Sequence, residues 1–194
     1  MRLQDSLPDT VQVNGKQYKV NLDFRNVLNM METLARDDLI EDARIYKAVK
    51  CVMKRPPKCY AQVLVALRGM LFHGDKQPEK KITDFVQDAD MIRAAFLQTY
   101  HINLYRDRLH WLEFTAYLAC LPEGSRYMEA LGIRARPMPA PTKYNAAERN
   151  WLAKAKAAVA LQLSDEEREN IYQSSLHRTA ESLIALAKRG ENIG

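Results

Sequence analysis

Residues Asp84 to Pro122 constrain the fold more than any other stretch, because two helical apolar faces lie there on either side of one interruption. Phe85, Ala89, Ile92 and Phe96 recur at steps of four, three and four, which places them on one side of a helix. Trp111, Phe114, Leu118 and Leu121 repeat the pattern. Between them His101-Ile102-Asn103-Leu104 breaks the periodicity, so the spacing predicts a short turn that lets two helices pack side by side. Asp84 with Gln87 suits a capping-box start, and Pro122 with Gly124 marks the stop.

The chain has 194 residues, 47% of them hydrophobic, which suits one ordinary domain with a real core and an attached tail. Seven glycines are few for a Rossmann-type or sandwich protein, so composition points to helices. Cys51, Cys59 and Cys120 are an odd set with no tight pairing. The stretch Met1 to Asp9 is polar, without a secretory apolar run, and no stretch approaches the roughly 18 consecutive apolar residues of a membrane span. These features predict free thiols in a reducing cytoplasm and no membrane contact. The formal net charge of +5 is concentrated in one place. Arg134, Arg136, Lys143, Arg149, Lys154 and Lys156 face only Glu148 in their segment, which leaves the rest of the chain formally neutral. Such a basic segment can attract nucleic acid, meet an acidic partner or serve as a solvated connector.

The alternation around Asn14-Gly15, from Val11 to Val20, predicts a β-hairpin with a type I′ turn. An isolated hairpin is marginal in water, so it is expected to fold over its own core, with strand addition at its edge as the alternative. Asp23 caps a helix from Phe24 to about Ala35, and Glu41 to Lys54 follows, broken by Pro56-Pro57. Tyr60 to Phe72 is the next helix, closed by His73-Gly74-Asp75, with Lys76 to Lys81 a polar linker. After the central pair, Ser125 to Leu131 reads as a short helix closed by Gly132. Pro137, Pro139 and Pro141 make an extended, PPII-like connector to a helix over Tyr144 to Leu163. Ser164-Asp165-Glu166-Glu167 caps a last helix to about Lys188, with Tyr172, Leu176, Ala180, Leu183 and Ala187 as its stripe. The fold class expected is mainly α, a helical core domain over 1–136 with an N-terminal β-hairpin, then a Pro-containing linker and a two-helix basic arm over 137–194.

A search for chemistry finds little. Cys51 and Cys59 have neither a CxxC pair nor a histidine at ligand spacing, and read as small buried hydrophobes. His101 and His110 flank the interruption and read as hydrogen-bonding surface groups. Asp84, Asp88 and Asp90 lie in first helical turns, where negative charge complements the dipole, rather than forming a metal cluster. No phosphate-cradling GxxxxGK[ST], dinucleotide GxGxxG or GxSxG elbow is present. The residues point to no cofactor, no metal and no enzyme.

Several features together resemble a family of proteins from tailed phages and prophages of Gram-positive bacteria, named after phage gene product fifteen. They are the hairpin and helix start Val11-Gln12-Val13-Asn14-Gly15 through Asp23-Phe24-Arg25, and Phe72-His73-Gly74 before the polar linker. The most specific part is the order Asp84-Phe85, Gln87-Asp88-Ala89, Ala95-Phe96-Leu97-Gln98, Tyr100, Ile102, Leu104, His110-Trp111, Phe114 and Leu121-Pro122, continued by Gly132 and Arg134. The likeness spans about Leu7 to Arg136. The family pattern has glycine and aspartate where His101 and Asn103 stand, and a second aromatic where Leu112 stands.

The resemblance implies a tail assembly chaperone that keeps the long apolar tape-measure protein soluble, helps tube subunits polymerise around it and is absent from the finished virion. It implies structural roles for the motif residues Asp84, Phe85, Asp88, Phe96, Tyr100, Trp111 and Phe114. The basic residues from Arg134 to Lys156 are the candidate partner contacts, toward tape measure or tail tube protein. Self-association would multiply weak sites along such a partner. The competing readings are a structural tail component retained in the virion and, with less support, a nucleic-acid-binding phage protein.

Overall fold

The computed structural model describes residues 4–72 and 82–162. The hairpin forms because Asn14 and Gly15 take positive φ values of 51° and 74°, the pair that a type I′ turn requires. Its strands are β1 (Thr10–Val13) and β2 (Lys16–Lys19), paired antiparallel with Val13 opposite Lys16. Period-two alternation puts Val11 and Val13 on one buried face, and this face lies against helix α3 (Tyr60–Leu71). The hairpin therefore leans on its own core.

Helix α1 (Phe24–Leu34) begins where the Asp23 carboxylate accepts the Arg25 amide at 3.0 Å, and it buries Phe24, Val27 and Met30. Helix α2 (Glu41–Val52) packs along it through Ala48, Val49 and Val52. It stops two residues short of the expected Lys54, because the Val52 carbonyl accepts the Asn21 amide at 2.8 Å and Met53 turns extended. Helix α3 buries Val63, Leu67 and Leu71 and ends at Leu71, with Phe72 extended. The polar linker at Lys76 to Lys81, the His73-Gly74-Asp75 stop, and the last helix with its Ser164 capping box lie outside the described residues.

Helix α4 (Ala89–Tyr100) starts later than Asp84. Asp84 instead closes a preceding turn, its carboxylate accepting the amides of Val86 at 2.9 Å and Gln87 at 3.0 Å. The reciprocal bond comes from Asp88, which accepts the Asp84 amide at 3.0 Å, so Gln87 is not the box partner. The connection to α5 (Trp111–Ala119) takes up 101–110, longer than a short turn. Leu104 is buried within it, and Asn103 and Asp107 close it on itself: the Asn103 side chain accepts the Tyr105 amide and Asp107 accepts the Asn103 amide. His101 ends α4 in the left-handed region at φ 58°, and Asn103 makes the side-chain turn that aspartate also makes. Both departures from the family pattern thus keep the local geometry.

His110 caps α5. Its Nδ1 accepts the Leu112 amide at 3.1 Å, while its own amide donates to Glu113 at 3.0 Å. With Nδ1 accepting, the proton of the neutral ring sits on Nε2, which donates to the Pro8 carbonyl at 3.0 Å and ties down the N-terminal strand approach. Helix α6 (Arg126–Ala135) starts at Ser125 and runs straight through Gly132, which closes nothing. A closing glycine needs positive φ, and among the described glycines only Gly15 has it. Helix α7 (Ala146–Ala158) is shorter than Tyr144 to Leu163 at both ends. Its N-terminal side is a turn in which Asn145 binds the Thr142 amide and the Ala140 carbonyl, and its C-terminal side is held by side chains described below.

The core centres on rings. Phe114 stacks on Phe24 at 4.7 Å and on Phe96 at 5.3 Å, joining α1, α4 and α5, with Trp111 beside it at 5.8 Å. Phe85 and Phe72 meet Trp111 edge-on, and Tyr100 lies 5.0 Å from Tyr117. Leu121 falls beyond the end of α5 but is still buried.

Candidate partner-binding site

The five aromatic motif residues, Phe85, Phe96, Tyr100, Trp111 and Phe114, come together in the cluster just described. A groove lies beside that cluster. It has a volume of about 380 Å³ and lies between α1, α4 and the 101–110 segment, floored by Phe24, Leu28, Phe85, Ile92 and Phe114. Its rim is built from two arginines and a tyrosine. Arg25 donates to the Leu104 and Asp107 carbonyls at 2.9 and 2.7 Å and lies over the Phe24 ring, so it holds the loop against α1. Arg93 pairs with Asp90 and lies 4.5 Å from the centre of the Tyr105 ring, whose residue is 70% exposed. An apolar floor with a cationic and aromatic rim suits the apolar face of an amphipathic segment.

The two acidic motif residues, Asp84 and Asp88, belong to a different structure. Asp88 is fully buried and forms a two-pronged ion pair with Arg134, at 2.7 and 2.8 Å. Arg134 also donates to the Ile82 carbonyl at 3.0 Å and to the Val159 carbonyl at 2.6 Å. One guanidinium thus joins the turn before α4, α6 and the residue after α7. Nearby, Thr83 and Tyr127 share a hydrogen bond of 2.8 Å; burial pushes the Tyr127 phenol pKa up, and that bond opposes the shift. Gln87 completes the joint: its amide donates to the Ala160 carbonyl and its oxygen accepts the Gln162 amide, both at 2.7 Å.

The remaining basic residues are not gathered into one face. Lys156 donates to the Ile133 and Arg134 carbonyls at 2.9 Å, capping the end of α6. Arg149 donates to the Pro139 carbonyl, and Arg136 pairs with Glu148 at 3.4 Å. Lys143 and Lys154 are exposed. Half of these six cations, Arg134, Arg149 and Lys156, are thus aimed at main-chain oxygen of the protein itself.

Sequence reasoning missed the Asp88–Arg134 pair and the part played by Gln87. A signal existed for Arg134: it shares the buried face of α6 with Tyr127 and Ala130, so a cation stands on an apolar stripe. Its partner lies 46 residues away and no local spacing points to it. The three cysteines are free; Cys51 and Cys59 are half-buried beside Thr33 and Tyr18, and Cys120 is exposed. Among the described residues no group of His, Cys, Asp and Glu is arranged to hold a metal, and no helix is long and apolar enough to cross a membrane.

The sequence model of one family, described as Bacteriophage Gp15 protein, matches residues 3–161. The match extends past Arg136 through α7, beyond the span over which the motifs alone are similar. No curated protein and no solved structure matches the chain.

Proposed function

We propose, since this chain belongs to the bacteriophage Gp15 protein family, that it is a non-enzymatic tail assembly chaperone acting in the cytoplasm of the bacterial host. It binds the tape-measure protein, keeps it soluble while tube subunits assemble around it, and leaves before the virion is complete. The observation that carries this reading is the groove between α1 and α4, whose apolar floor and Tyr105 rim fit one face of an amphipathic helix. A tape-measure protein offers many such faces in series, so a modest affinity per groove is multiplied along its length. The tail tube protein is the second expected partner.

A structural component kept in the virion is the second reading, supported by the same family and the same groove. Nucleic-acid binding has less support, because Arg134, Arg149 and Lys156 are engaged with backbone carbonyls rather than displayed together.

The test is co-expression with the tape-measure protein of the same phage genome, followed by pull-down and a solubility assay. Co-purification with rescue of the tape measure supports the chaperone, and Tyr105→Ala is expected to weaken capture several-fold without altering the fold. If the two proteins do not associate and this chain appears in purified virions, the structural reading replaces it.

A further inference from the structure

Gln87 fixes where the described chain ends. Its side chain donates to the Ala160 carbonyl and accepts the Gln162 amide, both at 2.7 Å, so residues 160–162 are pinned to the turn that leads into α4. Two hollows open from this point. The first, about 410 Å³, lies between α4, α6 and the end of α7, and the second, about 310 Å³, continues it along α4. They share Met91 and Arg126 and so make one trough between α4 and α6. Met91, Ala94 and Ala95 line it on α4, and Arg126, Ala130 and Ile133 line it on α6. The α6 positions recur at four and three residues, the spacing of one helix face. Ile92 and Arg93, which line the groove described above, stand on another face of α4, so the two sites are separate.

We propose that the segment following Gln162 docks as a helix in this trough of its own chain, with Tyr172 and Leu176 inserted between α4 and α6. Where the described chain ends singles out this occupant. Only Leu163 separates the pinned Gln162 from Ser164, which opens the capping box Ser164-Asp165-Glu166-Glu167, so the segment begins at the head of the trough. Its length fits. Helix α4 has 12 residues and at about 1.5 Å per residue runs about 18 Å, so the trough takes roughly three turns of helix, the stretch from Ser164 to Leu176. Tyr172 and Leu176 stand four apart on one side of such a helix, and the small side chains of Ala94, Ala95 and Ala130 leave them room. Charge agrees as well. Asp165, Glu166, Glu167 and Glu169 outnumber Arg168 at the start of the segment, and Arg126 stands in the middle of the trough. Of the carboxylates there, Asp90 is already paired with Arg93, and Glu129 matches Arg168. The family model ends at residue 161, so this docking belongs to the chain's own extension. The inference does not rest on the tape-measure reading, and its test involves no partner protein.

The experiment uses the full chain. In the native protein, amide exchange of residues 166–176 is expected to be slowed, and Tyr172→Asp with Leu176→Asp to return it to the rate of an open chain. Fast exchange there in the native protein overturns the proposal. The place of docking is read with a nitroxide on Gln173→Cys, in a chain carrying Cys51→Ser, Cys59→Ser and Cys120→Ser. The amide signals of Met91, Ala94 and Ile133 are expected to be lost to broadening while those of Val11 and Val13 in the hairpin persist, and the two aspartates to restore the lost signals. Unchanged signals at Met91, Ala94 and Ile133 overturn the proposal, as does broadening that survives the aspartates, which tethering alone would give. Broadening centred on Leu28 and Tyr105 places the segment in the other groove and overturns it too. So does broadening seen only when the labelled and the isotope-enriched chains are different molecules, because the occupant is then a second copy.

Discussion

At Phe114 three helices meet through ring faces, whereas at Arg134 three segments meet through hydrogen bonds to a carboxylate and to main-chain oxygen. Both places join parts of the chain far apart in sequence. They differ in how failure spreads. Apolar packing is non-directional and sums over area, so the aromatic cluster makes α1, α4 and α5 one cooperative body. The polar joint is directional, and removing one partner leaves a buried charge behind. The first kind of contact holds a fold together; the second fixes how one segment docks on another.

Four changes test that contrast. Phe114→Ala, at the centre of the ring stack, should cost about 3–5 kcal/mol and lower the melting temperature for every probe at once. Different transitions for α1 and α5 would show that the cluster is not one unit. Arg134→Met should cost slightly less, about 3 kcal/mol, by leaving Asp88 buried and unpaired. Adding Asp88→Asn keeps an oxygen for the Asp84 amide while removing the charge, so the double variant should recover part of that loss in denaturant unfolding. Simple additivity of the two changes would mean that the pair is not what matters. Leu152→Ala should cost about 2–3 kcal/mol locally: amide exchange in α7 accelerates while the amides around Phe96 stay protected. Equal acceleration in both places would merge the two regions into one. His101→Gly is the smallest change, a gain of about 1 kcal/mol from relieving a left-handed backbone, read as a small rise in melting temperature.

The candidate groove is only partly legible in the sequence. Its lining residues Phe85, Ile92 and Phe114 stand out by periodicity, which marks them as core, and Ile92 and Phe114 are indeed buried. What shapes the groove above them is the 101–110 segment, propped by Arg25 through carbonyls of Leu104 and Asp107. Those bonds span 79 and 82 residues, and no pattern in either stretch announces them. The basic segment shows the opposite error. As a string it looks like a charged surface, but Arg134 sits inside and Lys156 caps a helix.

By itself, then, the sequence determined what the backbone's own periods encode: the hairpin at Asn14-Gly15, the helices with their apolar faces, and caps such as Asp23 and Ser125. These depend on neighbours a few residues apart, where spacing is geometry. Tertiary structure alone decided that Asp84 closes a turn instead of starting α4, that Gly132 lies inside α6, and that α7 ends at Ala158. One distant residue touches all three places: Arg134 pairs with the Asp88 that accepts the Asp84 amide, stands on the buried face of α6 beyond Gly132, and binds the Val159 carbonyl after α7. A linear pattern carries no record of which distant groups will meet.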